Sequence, residues 1–169
     1  VRRYFDQAGY LEVETHLLQV VAGGAAARPF STHYNAYDMD VKLRISLELY
    51  LKRLICGDIP AVYEIGRVFR NEGVSNRHNP EFTLLEFYEA YTNLEGMMRR
   101  VEECFAFVAT EVYGTTLVSI GQIGPMSPIS PIDKVDFSKP WKRVDLLTEI
   151  ATQSGLDKAD LSDLVVAKR

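Results

Sequence analysis

Cysteine is scarce: two residues in 169 permit at most one disulfide, which excludes the stapled framework of a small secreted scaffold. Histidine is nearly as rare. Neither His16 nor His33 has a Cys or His partner at metal spacing, so surface or hydrogen-bonding roles are expected for them and no metal site. No apolar run approaches the roughly 20 residues that span a bilayer, so no membrane anchor is expected. Excess positive charge is missing too. The 19 Lys and Arg face 23 Asp and Glu, and the net charge of -4 counts against general coating of nucleic acid while leaving room for a local basic groove. Internal repeats and low-complexity tracts are absent, and Val1-Arg2-Arg3-Tyr4-Phe5 does not follow the order of a signal peptide.

What is present is a globular composition, 47% apolar and 25% charged, in a length that suits one domain with a real core. Cys56 and Cys104 fall on the apolar faces of predicted helices, which reads as buried, reduced cysteine in a cytoplasmic protein. The chain opens inside a helical pattern and closes on Ala167-Lys168-Arg169 without a stop signal, so a piece of a longer protein is expected.

Val1, Tyr4, Phe5 and Ala8 have helical spacing up to Gly9, and residues 11–15 alternate as a strand with one dry face. A small-residue loop at 23–30 lets backbone come close to a ligand or to other backbone. Short strands are expected at 36–39 and 41–45, then a helix capped by Ser46 that carries Leu47, Leu51, Leu54 and Ile55 on one face up to Gly57. Residues 62–72 and 82–91 read as an antiparallel hairpin with a long loop rich in Gly, Ser, Asn and Pro. Asn93 caps the clearest helix. Leu94, Met97, Met98, Val101, Cys104, Phe105, Val108 and Val112 are its expected packing face, and Gly114 its end. Between Gly114 and Pro140 at most one short hairpin is expected around a Pro-rich stretch at 124–131, and Asp145 caps a last helix closed by Gly155.

Side chains on a strand alternate between faces, so Tyr63, Ile65, Arg67 and Phe69 share one side of the hairpin, the expected core side. The other side then groups Arg70 and Glu72 with Phe82, Glu86 and Tyr88, a set too polar for a core. Arg70 offers a planar fork for phosphate or carboxylate, and Arg77 and His78 add hydrogen-bonding groups in the loop. Phe82 is able to stack on a nucleobase, while Glu86 with Tyr88 suits a cationic group. For any one of these residues a solvated ion pair, worth about 0–1 kcal/mol, explains the pattern equally well. For all five together it is the poorer account.

The run from Phe69-Arg70-Asn71-Glu72-Gly73 through Arg77-His78-Asn79-Pro80-Glu81-Phe82 to Leu84-Leu85-Glu86-Phe87-Tyr88 resembles motif 2 of the class II lysyl-tRNA synthetases. Gly9-Tyr10-Leu11-Glu12-Val13-Glu14-Thr15 resembles their motif 1, and the 23–30 loop with Glu48-Leu49-Tyr50-Leu51-Lys52-Arg53-Leu54 is similar as well. The resemblance is close over about 1–116, returns near 136–142 and is loose elsewhere. It implies an α+β fold, an antiparallel sheet flanked by helices, that binds ATP in a bent form, joins lysine to it as lysyl-adenylate and passes the lysyl group to tRNA-Lys. By the same resemblance Arg70 binds the α-phosphate and the lysine carboxylate, Glu72 lies at the adenine amino group, Arg77 and His78 hold the distal phosphates, and Phe82 covers the adenine face. Gly24 and Glu48 take the α-amino end of lysine, and Glu86 and Tyr88 its ε-ammonium. A homodimer through motif 1, at about 1–20, is also implied, with motif 2 at about 62–91.

The sequence departs from the family in three places. His16 replaces the proline that usually ends motif 1, and Leu47 stands where a proline usually precedes Glu48. No glycine-rich motif 3 occurs, so the Mg²⁺ ligands and the anticodon-binding domain are expected outside this chain, and residues 1–169 are expected to be a partial catalytic domain inactive by itself. Two rivals remain: a lysine ligase that modifies a translation factor, and a catalytically inactive nucleotide-binding or interaction module.

Overall fold

The computed structural model describes residues 1–119 and 134–155. Their architecture is α+β, built on a hairpin whose two strands are long enough to carry a core on one half and chemistry on the other. Strand β5 (Ala61–Phe69) pairs antiparallel with β6 (Glu81–Glu89) over nine registered positions, from Ala61 opposite Glu89 to Phe69 opposite Glu81. The short β1 (Leu11–Glu12) adds in parallel to β5, giving the order β1-β5-β6. It is shorter than the 11–15 expected and Leu11 is half exposed, but beyond the strand Val13 and Thr15 keep the expected inward side, Val13 packing on the α2 cluster.

Both faces of this sheet are covered. On the odd-numbered side, α1 (Arg2–Gln7) and α3 (Leu94–Tyr113) close an aromatic cluster of Tyr4, Phe5, Tyr10 and Tyr63, with Phe5 stacked on Tyr63 at 4.8 Å between ring centroids. The Tyr4 hydroxyl donates to the Arg100 carbonyl at 3.0 Å, fixing α1 to α3, and burial pushes that phenol up to about 12. Burial alone would raise the Glu89 carboxyl. The Tyr10 hydroxyl and the Arg100 guanidinium, both hydrogen-bonded to it, outweigh burial and hold it below the usual carboxylate range.

On the even-numbered side, α2 (Glu48–Cys56) packs Leu47 and Leu51 on Val62 and Val68, with Phe82, Leu84 and Tyr88 half-buried beside them. The face expected to be too polar for a core is therefore partly core: Val62 and Val68 have no exposed surface, and polarity is confined to particular positions along it. Conversely Arg67, expected inside, is exposed.

The smaller elements correct other expectations. β2 (Leu18–Gln19), β3 (Ser31–Tyr34) and β4 (Met39–Leu43) form a second sheet, in the order β2-β4-β3. Residues 35–37, placed partly in a strand from sequence, make a 3-10 turn that ends with Asp38 left-handed at φ 48°. Leu47, not Ser46, occupies the N-cap position of α2, although the Ser46 hydroxyl still accepts from the Glu48 N–H at 3.2 Å. Cys56 is exposed and Cys104 buried. Cys56 follows Ile55 by one residue, about 100° around the helix, and so leaves the face that meets the sheet.

α3 begins and ends as its caps dictate. The Asn93 side chain accepts from the Gly96 N–H at 2.9 Å, and Gly114 closes the helix. Asn93→Ala is expected to cost about 1 kcal/mol in denaturant unfolding, the value of one lost cap. Only part of the apolar stripe packs: Leu94 and Val112 stay largely exposed, while the half-exposed Phe105 meets Phe137 and Trp141 from the following segment. A short hairpin of β7 (Leu117–Ser119) and β8 (Lys134–Asp136) lies where one was expected, and Asp145 caps α4 (Leu146–Ser154) through the Thr148 N–H. The Pro-rich stretch 124–131 lies outside the described residues. No helix among them is long and apolar enough to cross a membrane.

Candidate functional site

β5 ends at Phe69, so Arg70 and Glu72 stand beyond the sheet, at the start of the loop that turns back to β6. Their position comes from backbone pairing and not from strand parity. The Arg70 N–H donates to the Pro80 carbonyl at 2.8 Å, the Asn71 N–H to the Arg28 carbonyl at 2.7 Å, and Glu72 accepts from the Arg28 N–H at 3.3 Å. The loop tip is pinched by a pair of backbone bonds between Ser75 and His78, and the Ser75 hydroxyl lies 2.8 Å from His78 Nδ1.

This geometry encloses a cavity of about 360 Å³. Arg70, Glu72, Arg77, His78 and Phe82 all line it. The Arg70 guanidinium sits 5.1 Å from the Phe82 ring centroid and donates through Nε to the Ile45 carbonyl at 3.3 Å. Its two terminal nitrogens have no protein partner among the described residues. A fixed cation above an aromatic floor, with a second arginine and a histidine at the rim, is suited to an anion attached to a flat ring.

Further along the same face, Glu86 and Tyr88 form a second polar position. Phe82 and Glu86 are four residues apart on one strand, roughly 13 Å at strand rise. Glu86 Oε1 accepts from the Ser46 hydroxyl at 2.7 Å and the Leu47 N–H at 3.2 Å, and Oε2 from the Tyr88 hydroxyl at 3.0 Å. All three donors are neutral, and no Lys or Arg lies within ion-pair distance of Glu86 among the described residues. Burial, then the charge of Glu86 and more weakly that of Glu48, push the Tyr88 phenol above its usual range. Uncompensated negative charge therefore collects here.

Gly24 and Glu48 border the same place. Gly24 is left-handed at φ 86°, and a Cβ on it would come within 2.8 Å of both Glu48 Cβ and Ser46 Oγ. Only glycine permits this loop to press on the start of α2. Glu48 is paired with Lys52 one turn on, at 2.6 Å.

A model of the family described as tRNA synthetases class II (D, K and N) matches residues 1–167. The chain belongs to this family. Curated relatives of this class II synthetase chain include the lysine–tRNA ligase of Thermoanaerobacter sp. (strain X514), 51% identical over 173 aligned residues that take in 100% of this chain and 33% of the relative. The lysine–tRNA ligase of Lysinibacillus sphaericus (strain C3-41) is 52% identical over 157 residues, 93% of this chain and 29% of the relative. That of Bacillus cereus (strain B4264) is 48% identical over 93% of this chain and 30% of its own length. The chain thus spans about a third of the length of these relatives.

Sequence reasoning missed one feature of the candidate site. Directly beneath it Arg44 and Glu64, each only 2% exposed in its side chain, form an ion pair at 2.6 Å. Arg44 also donates to the Arg67 carbonyl at 2.7 Å and the Thr15 carbonyl at 3.0 Å, while Thr15 donates to Glu64 at 2.7 Å. Gly66 is required beside them, since a Cβ there would overlap the Arg44 guanidinium and stand 2.9 Å from Glu64 Oε1. A signal existed in the sequence: a lone arginine within Val41-Lys42-Leu43-Arg44-Ile45 and a lone glutamate within an apolar strand each demand a partner if buried.

Proposed function

We propose that this chain is the part of a lysine–tRNA ligase catalytic domain, with motifs 1 and 2, that binds ATP and lysine and forms lysyl-adenylate. The lysyl group then passes to tRNA-Lys in the intact enzyme. The observation that carries the reading is the pairing of two complementary positions: a cationic, aromatic-floored cavity where Arg70 of the loop meets Phe82 of β6, and the uncompensated carboxylate of Glu86 further along β6.

In the reaction a lysine carboxylate oxygen attacks the α-phosphorus of ATP. A new phosphorus–oxygen bond forms, the bond to the bridging oxygen of the β-phosphate breaks, and pyrophosphate leaves with the electron pair. Arg70 faces the charge that grows on the α-phosphate and steadies the attacking carboxylate with its free fork. Phe82 floors the adenine, Glu72 borders its amino group, and Arg77 and His78 meet the distal phosphates. A carboxylate has roughly four acceptor positions, and Glu86 fills three, leaving one on the Oε2 side for an ammonium proton. Gly24 and Glu48 close over the α-amino end. The described residues bring no group of three or more His, Cys, Asp or Glu together, and the family's Mg²⁺ enters no step derived for these side chains.

The exposed apolar side chains of Leu17, Leu18, Val20 and Val21 support a homodimer through the motif 1 segment. The name shared by the relatives favours tRNA over a protein as acceptor.

The test is lysine-dependent ATP–pyrophosphate exchange by the protein from its full reading frame. Glu86→Gln keeps the shape and removes the charge, so KM for lysine is expected to rise on the order of a hundredfold, with KM for ATP within about threefold. Exchange that ignores lysine, or an unaltered lysine KM in this variant, would refute the reading and favour an inactive module.

A further inference from the structure

Glu64 lies directly opposite Glu86 in the β5–β6 register, on the same face of the sheet. Opposed residues in such a pair have Cβ atoms about 4.5–5.5 Å apart, and like charges placed so repel. The two carboxylates nevertheless have different surroundings. Glu64 is fully buried and carries the guanidinium of Arg44, whereas Glu86 has only the hydroxyls of Ser46 and Tyr88 and one backbone N–H. Arg44, two residues before Ser46, is the cation that the fold places against Glu64, and its charge is already spent there.

Resting on the lysine-activating reading above, we infer that the Arg44–Glu64 pair determines specificity for a cationic amino acid. Glu64 cancels the charge of Arg44, and Glu86 is thereby left as the net charge that a substrate ammonium meets. Without the Glu64 charge, the Arg44 guanidinium becomes an uncompensated buried cation beside Glu86. It then competes with the substrate for that carboxylate and repels the incoming ammonium. Neither residue touches substrate. The pair acts by setting the charge of the pocket wall.

Two variants of the full-length protein test this, with KM for lysine and for ATP both read from pyrophosphate exchange. Glu64→Gln preserves size and hydrogen bonding but uncovers Arg44. KM for lysine is expected to rise at least about tenfold, as a full charge a few ångströms from the amine would impose, with KM for ATP within about threefold. The double variant Arg44→Gln with Glu64→Gln restores neutrality and is expected to bring KM for lysine back to within about threefold of the unaltered protein. A merely structural pair predicts the opposite ordering, the double variant being the worse, with both KM values moving together. Lysine KM unchanged in Glu64→Gln, or not recovered in a folded double variant, overturns the proposal. Should Glu64→Gln fail to fold by circular dichroism, Arg44→Gln replaces it: the bared Glu64 charge is expected to lower KM for lysine with KM for ATP within about threefold, and an unchanged or raised lysine KM overturns the proposal. Absence of lysine-dependent exchange in the unaltered protein refutes the functional reading itself, whereas exchange present with an indifferent Glu64→Gln refutes this inference only.

Discussion

Arg70→Ala is expected to lower the turnover of lysine-dependent pyrophosphate exchange by about two to three orders of magnitude, the scale on which a single pre-aimed donor to a developing charge acts. The expectation rests on how this side chain is held. Its Nε is committed to the Ile45 carbonyl and its plane to Phe82, so the fork stands ready before any ligand arrives, with no reorganisation at the moment of reaction. Arg70→Lys should recover little of the loss, because an ammonium supplies a point charge without the planar pair of donors. Folding should be nearly unaffected, since Arg70 belongs to neither buried cluster. Turnover within threefold of the unaltered protein would remove Arg70 from the chemistry.

The second large effect is on stability. Arg44→Met leaves Glu64 charged and buried with Thr15 as its remaining donor, and strips the Arg67 and Thr15 carbonyls of a partner. Breaking one side of a buried pair typically costs about 3–5 kcal/mol, which for a domain of this size lowers the unfolding midpoint by about 6–20 °C. Thermal unfolding followed by circular dichroism measures it. A fall of under about 2 °C would mean that the pair is not a structural element.

The hairpin and the gathering of Arg70, Glu72, Arg77, His78 and Phe82 around one cavity were legible because local signals agreed there: period-two alternation, a loop of turn-forming residues, and a resemblance that runs unbroken through both. α3 was legible for the same reason, its Asn93 and Gly114 ends being written in residue type. Parity misled at two points. It extended β5 past Phe69, so Arg70 and Glu72 were assigned to a sheet face when a loop carries them. It also read the face of Val68 and Glu64 as too polar for a core, although α2 covers much of it. The Arg44–Glu64 pair was hidden for a physical reason, since each residue alone reads as a solvated charge and only the fold brings together positions 20 apart in the chain. Cys56 failed by one residue of helical rotation, a smaller angle than apolar periodicity resolves.

Ile45, Ser46 and Leu47 are consecutive: the Ile45 carbonyl holds Arg70, while the Ser46 hydroxyl and the Leu47 N–H hold Glu86. The two halves of the site are therefore not separate receptors on a common wall. A ligand that draws on Glu86 would meet a carboxylate held by Ser46 and Leu47, next to the Ile45 carbonyl that orients the guanidinium. Thermodynamic reciprocity then requires that whatever factor the occupant of one half lends to the affinity of the other be returned in equal measure.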